Sequence, residues 1–270
     1  MNPAQQEREL IRILEGFERV IVAFSGGVDS SYLAFLAHRV LGPSARIVTA
    51  LSPSVSALQE ETVRQFVTRY GVNHTFIRTT ELDDPRYASN PSNRCYFCKS
   101  ELFERLQRLQ DEWDVQAVFD GTNADDLGDY RPGRQAASEK AIRSPLAEAG
   151  MGKEAIRARS REWGLPTWDM PATPCLASRL PYGVAVTPEK LQQVDSAESV
   201  LRRLGFSEFR VRHHEALARL EISPAEMPRI LDPVLLDRIN RELKALGYQY
   251  VALDLQGFRS GSLNELLELT

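Results

Sequence analysis

The stretch that most limits what this chain can fold into is Ser25-Gly26-Gly27-Val28-Asp29-Ser30-Ser31. Before it, Val20-Ile21-Val22-Ala23-Phe24 is a β-branched and aromatic run of strand length. After it, Tyr32, Leu33, Phe35, Leu36 and Val40 recur at helical spacing and stop at Gly42-Pro43, a helix ending. The stretch between is therefore a strand-to-helix turn, in which Gly26 and Gly27 remove the Cβ atoms that would keep an anion from the backbone. Its N–H groups and the start of the helix converge on a spot that favours phosphate. The turn lacks the Gly-Lys-Ser/Thr ending of a Walker loop and the Gly-x-Gly-x-x-Gly of a dinucleotide turn. A plainer use of Asp29 or Ser30, as an N-cap, competes with this reading.

Further strands and helices alternate behind the turn. Arg46 to Leu51, His74 to Arg78 and Val115 to Phe119 read as strands, and 10–17, 57–70, 98–110 and 153–163 as helices. This pattern predicts an α/β fold, a parallel sheet with helices on both faces. Ligands of such sheets bind beyond the carboxyl ends of the strands, so the loops after Phe24, Leu51, Arg78 and Phe119 are expected to share one crevice. Gly164-Leu165-Pro166 ends the alternation and suggests domains at 1–166 and 167–270. The second half reads as a smaller α+β domain. Thr187-Pro188 opens a helix as N-cap and N1, 209–213 and 216–222 pair as strands, Ser223-Pro224-Ala225-Glu226 fits a capping box, and a helix over 233–246 precedes a strand at 248–253.

Two loops carry chemistry of their own. Asp120-Gly121-Thr122-Asn123-Ala124-Asp125-Asp126 offers adjacent carboxylates; beside a triphosphate one of them, Asp125, suits Mg²⁺. Asp126 fits turn chemistry equally well. Cys95-Tyr96-Phe97-Cys98 sets two thiols at a spacing used by structural zinc, redox disulfides and iron–sulfur clusters alike. The third cysteine, Cys175, is distant in sequence. No stretch has the apolar core of a signal peptide or the length of a membrane span, which implies a cytoplasmic chain with no membrane partner. Three cysteines in a reducing compartment point to metal or sulfur chemistry rather than to a disulfide framework. Zinc would need a fourth ligand, and His74, His213 and His214 sit at no telling spacing. With 33 Lys and Arg against 37 Asp and Glu, a net charge of −4 argues against a nucleic-acid-coating surface.

The glycine turn resembles the pyrophosphate loop of the ATP pyrophosphatase superfamily, whose members adenylate a substrate and release pyrophosphate. Taken together with Asn93-Arg94-Cys95-Tyr96-Phe97-Cys98-Lys99, the 120–126 loop, Thr173-Pro174-Cys175-Leu176-Ala177-Ser178-Arg179, Phe209-Arg210-Val211-Arg212-His213-His214 and the 253–261 segment, the chain resembles the LarE family over nearly its whole length. These are the ATP-dependent sulfur-inserting synthases of nickel-pincer nucleotide biosynthesis. The resemblance implies an adenine nucleotide alpha hydrolase-like fold, with Ala23, Ser25, Gly26, Gly27, Asp29, Ser30, Leu51, Gly121, Thr122 and Asp125 around ATP and Mg²⁺. It implies a small carboxylated pyridinium mononucleotide as substrate, gripped by Arg179, Arg210, Arg212 and Arg259, whose guanidinium forks match phosphate and carboxylate. Cys175, Asp29, Ser178, Arg179 and Glu198 would serve the chemistry. Sulfur would come from a sulfide on a four-iron four-sulfur cluster held by Cys95, Cys98 and Cys175, or from a sacrificed Cys175 side chain. The family assembles as homo-oligomers, trimers or hexamers. A transfer-RNA thiolase of the same superfamily and a non-catalytic adenine-nucleotide sensor are the competing readings.

Overall fold

Alternation within Val20-Ile21-Val22 sets the architecture: Val20 and Val22 face one hydrophobic cluster and Ile21 the other, and all three are fully buried. In the computed structural model, which describes residues 1–128 and 132–259, the strands β1 (Val20–Ala23), β2 (Ala45–Leu51), β3 (His74–Arg78) and β4 (Ala117–Phe119) form one sheet in the order β3-β2-β1-β4. Every pairing is parallel, with Ile21 opposite Arg46 on one side and Val118 on the other. A parallel bridge between Phe119 and Arg143 adds one further rung beyond β4. The helices Pro3–Glu15, Val28–Leu41, Ala57–Tyr70 and Lys153–Glu162 contribute Leu10, Leu33, Phe66 and Ile156 to the first cluster. The helices Arg94–Glu112 and Pro132–Glu139 contribute Phe103, Leu106 and Ala136 to the second. The expected parallel sheet covered on both faces is therefore observed.

The first helix starts earlier than expected, at Pro3, because Asn2 and Gln5 form a reciprocal capping box there. It is clamped by Glu7, a buried carboxylate that accepts hydrogen bonds from Tyr32 Oη, Arg159 Nε (2.9 Å) and Trp163 Nε1 (2.9 Å). Burial pushes the Glu7 carboxyl up, but the bonds from Arg159, Tyr32 and Trp163 outweigh it and hold the group below the usual glutamate range. A depressed folded-state value contributes stability above the unfolded value of 4.5, which is lost as pH falls through the folded one. Glu7→Gln is therefore expected to cost about 2 kcal/mol at pH 7. The cost should shrink in acid, checked by chemical denaturation at pH 7 and pH 3; an equal loss at both would remove the charge from the account.

Residues 1–87 and 92–173 make one compact unit; residues 88–91 and 174–270 make the other. In the second, β5 (Phe209–His214) runs antiparallel to β6 (Leu217–Ile222), and β6 parallel to β7 (Tyr250–Leu253). The inward row Phe209, Val211, Leu220 and Ile222 packs with Leu201 of the helix Pro188–Arg203 and with Ile239 and Leu243 of the helix Pro233–Ala245. Thr187 caps the first of these helices through the Lys190 N–H, with Pro188 at N1. The expected capping box at Ser223 does not form: the Glu226 carboxylate accepts instead from the Ser207 and Glu208 N–H groups. Within this unit Asn90 is fully buried; its carbonyl accepts from Gly183 N and its side chain donates to Pro181 O. No helix among the described residues is long and apolar enough to cross a membrane.

Candidate functional site

Strand order reverses at β1: the chain steps outward to β2 and β3, then returns to place β4 on the other side. That reversal opens a crevice at the carboxyl ends of β1 and β4, and the glycine turn lies there. Gly26 has φ +79°, a conformation that strains any other residue, and a Cβ on it would stand 3.0 Å from Val63 Cγ2, which would have to give way. Gly27 is the N-cap of Val28–Leu41 and supplies no side-chain cap, which leaves the helix N-terminus to an incoming anion. Ser30, in place of capping the helix, braces the turn: its Oγ accepts from Ser25 N (3.2 Å) and donates to Gly27 O (3.2 Å). Thr49 Oγ1 of β2 donates to Phe24 O (2.8 Å). Its proton so used, Thr49 accepts from His74 Nε2 (2.9 Å). Burial, aided by Arg64, lowers His74 to about 4, so its ring is neutral at neutral pH.

The loops after β2 and β4 reach the same turn. Gln59 Nε2, on the helix that follows the β2 loop, donates to Ser25 O (2.7 Å), and a Cβ on Gly121 would meet Ser30 N at 3.1 Å. Asn123, fully buried, donates from Nδ2 to Asp29 Oδ2 (2.9 Å). Burial raises the Asp29 carboxyl, the Asn123 bond pulls against it, and the nearby Asp126 charge raises it further. Thr122 donates to Asp120, which also accepts from Ser144 Oγ (2.7 Å). The loop after β3 meets the loop after β2 through the buried hydrogen bond between Ser54 Oγ and Tyr87 Oη (2.7 Å), and its Thr80 N donates to Glu101 on Arg94–Glu112. Ala23 and Leu51 are the half-buried last residues of β1 and β2. A cleft beside the turn is lined by Ser25, Gly26, Gly27, Leu58, Gln59 and Thr62, with Met170 and Thr173.

Asp125 is exposed, and its Oδ2 accepts the Lys153 N–H (2.7 Å) at the start of Lys153–Glu162. Asp126 is buried, with Lys153 Nζ 3.5 Å from its carboxylate. One carboxylate of the pair thus serves a helix terminus and the other a lysine. Among the described residues no three Asp, Glu, His or Cys side chains converge to hold a metal ion. This oxygen-rich loop fits a magnesium ion that arrives on phosphate, since Mg²⁺ takes one or two carboxylates together with phosphate oxygens and water.

The cysteines divide two and one. Cys95 and Cys98 lie one turn apart on Arg94–Glu112, the first exposed and the second half-buried; Cys175 is half-buried in the other unit, and none is in a disulfide. Arg179 follows Cys175 by four residues and is almost wholly enclosed. Its Nε and Nη2 each donate to Glu198 at 2.9 Å, and its Nη1 donates to Pro174 O (2.7 Å), Cys175 O (3.2 Å) and Ser178 Oγ (2.9 Å). With its fork so occupied, Arg179 braces the Cys175 backbone. Arg212 is likewise buried, donating to Ser178 O (2.7 Å) and pairing with Glu221 (2.8 Å). Arg210 donates to Phe209 O and lies over the Phe258 ring. Burial, with Arg179 and Arg212 close by, lowers its guanidinium to about 10. A positive charge so destabilised favours an anion beside it. Arg259 donates to Gly257 O (3.4 Å), while Ser260 and Gly261 of the segment that carried the resemblance lie outside the described residues. Asn123, Gln59, Lys153 and Arg219 were not singled out in the sequence; Arg219 joins His214, Glu221 and Asp254 on the same sheet face.

Residues 11–89 match the NAD synthase family. An uncharacterised protein of Synechocystis sp. is 46% identical over 93% of each chain. The pyridinium-3,5-bisthiocarboxylic acid mononucleotide synthase of Lactiplantibacillus plantarum is 37% identical over 98% of this chain and 95% of its own. An uncharacterised protein of Methanocaldococcus jannaschii is 28% identical over 90% of this chain and 92% of its own.

Proposed function

The chain belongs to the family of the pyridinium-3,5-bisthiocarboxylic acid mononucleotide synthases, and from that premise we propose that it converts carboxylates of a pyridinium-3,5-biscarboxylic acid mononucleotide to thiocarboxylates with consumption of ATP. A carboxylate oxygen attacks the α-phosphorus and pyrophosphate leaves; a sulfur nucleophile then displaces AMP from the acyl adenylate. The first step turns a poor electrophile into one with a phosphate leaving group, and soft sulfur suits the second. One observation carries this reading: an N-terminus without a side-chain cap, behind a left-handed glycine, at the point where strand order reverses. There the helix dipole and loop N–H groups stabilise the charge growing on departing pyrophosphate, while Asn123 orients Asp29 beside it.

In the second unit, Arg210 and Arg212 are the proposed grip on substrate phosphate and carboxylate, with Arg259 supporting. Arg179 and Glu198 position Cys175 and Ser178. For the sulfur source, the donor set itself suits a four-iron four-sulfur cluster: three thiolates, Cys95, Cys98 and Cys175, leave one iron open. Such a cluster would supply a transferable sulfide. The second source is the Cys175 side chain. Three thiols outside any disulfide accord with a cytoplasmic setting. We further propose a homo-oligomer without nucleic-acid partners, the latter on the −4 charge.

Mixing the protein with Mg²⁺-ATP and the carboxylated nicotinate mononucleotide should release pyrophosphate and AMP only when the carboxylate is present, with product mass rising by about 16 for each oxygen replaced by sulfur, a value set by the two atomic masses. Pyrophosphate release without carboxylate, or sulfur delivered to RNA, would overturn the reading.

A further inference from the structure

Gln59 breaks a local rule. Ser56-Ala57-Leu58-Gln59 is a capping-box sequence, in which Ser56 takes the N–H of Gln59 and the glutamine side chain returns to the N–H of Ser56. Only the first half forms: Gln59 N donates to Ser56 Oγ (3.2 Å), whereas Gln59 Nε2 is turned to Ser25 O at 2.7 Å, across 34 residues. A side chain that leaves its local partner for a distant one marks a position set by the site rather than by its own helix.

The peptide that receives it is the one that matters in the turn. Phe24 O is already fixed by Thr49 Oγ1, and Ser25 N is already committed to Ser30 Oγ. The plane between Ser25 and Gly26 depends on the Gln59 bond, and a glycine at φ +79° tolerates the flipped peptide as readily as the native one. Because a trans peptide is planar with its C=O and N–H opposed, holding Ser25 O on Gln59 aims Gly26 N–H the other way. A flip would present a carbonyl to the anion instead. We propose that Gln59 is a positioning residue that locks this peptide so that Gly26 N–H faces the ATP phosphates. The inference rests on the ATP reading above.

The test is Mg²⁺-ATP binding by calorimetry to wild type, Gln59→Leu and Gln59→Glu at pH 7.5 and pH 5, with unfolding midpoints measured alongside. Gln59→Leu should bind about fivefold to tenfold more weakly at both pH values, the size of one lost neutral hydrogen bond. Gln59→Glu should bind at least as poorly at pH 7.5, where a carboxylate faces the Ser25 carbonyl. At pH 5, where the facing Ser25 carbonyl favours the protonated acid, it should recover in part relative to Gln59→Leu as its protonated oxygen donates. A general packing role predicts no such divergence. Wild type that fails to bind ATP overturns the nucleotide reading. Wild type that binds, with both variants equal to it or with the two variants parallel in pH, overturns the lock alone.

Discussion

Glu198→Ala is expected to destabilise the C-terminal unit by about 3–5 kcal/mol, because it leaves Arg179 charged, buried and without its carboxylate. The pair is two-pronged at 2.9 Å on each prong, and Glu198 Oε1 also accepts from Val211 N (3.2 Å) on β5. In calorimetry the midpoint of that unit should fall by at least roughly 12 °C. The double variant Arg179→Met, Glu198→Leu removes both charges at similar volume and should recover most of that stability. It should not recover sulfur transfer, since the Pro174 and Cys175 carbonyls still lack the guanidinium that holds them. A double variant restored in both stability and turnover would show the pair to be scaffold only.

Cys175→Ala should reduce sulfur transfer at least about a thousandfold, below detection in single turnover, while carboxylate-dependent pyrophosphate release persists. The glycine turn and the 120–126 loop belong to the other unit and lose nothing by the change. Cys95→Ala separates the sulfur sources. Protein prepared without oxygen is expected to be brown, with iron and acid-labile sulfide, all lost on that substitution together with transfer. Colourless, iron-free wild type delivering one sulfur per chain would assign the sulfur to Cys175 itself.

Much of the scaffold was legible because it is written in short-range pattern. Val20-Ile21-Val22 alternates, Gly26-Gly27 turns, Thr187-Pro188 caps, and each outcome depends on residues a few positions apart. What escaped depends on partners far along the chain. Nothing near Asp125 announces that it receives the N–H of Lys153, and nothing near Glu226 announces Ser207. The same limit applies to Arg179. An arginine in a recognisable segment reads as a ligand for phosphate, and only its enclosure and five donated bonds reveal a brace. Gln59 sat inside a pattern that predicts the wrong partner, because local capping lost to the demands of the turn.

The four residues 88–91 have a consequence for how this chain can be cut and recombined. Ala88 O accepts from Val186 N (2.8 Å) and Asn90 O from Gly183 N (3.0 Å), so a C-terminal unit begun at residue 174 would lack a piece contributed from far upstream. The halves are consequently not interchangeable cassettes. A chimera that swaps everything after 173 between relatives keeps a foreign 88–91 and inherits a mismatched seam, unless those four residues travel with it.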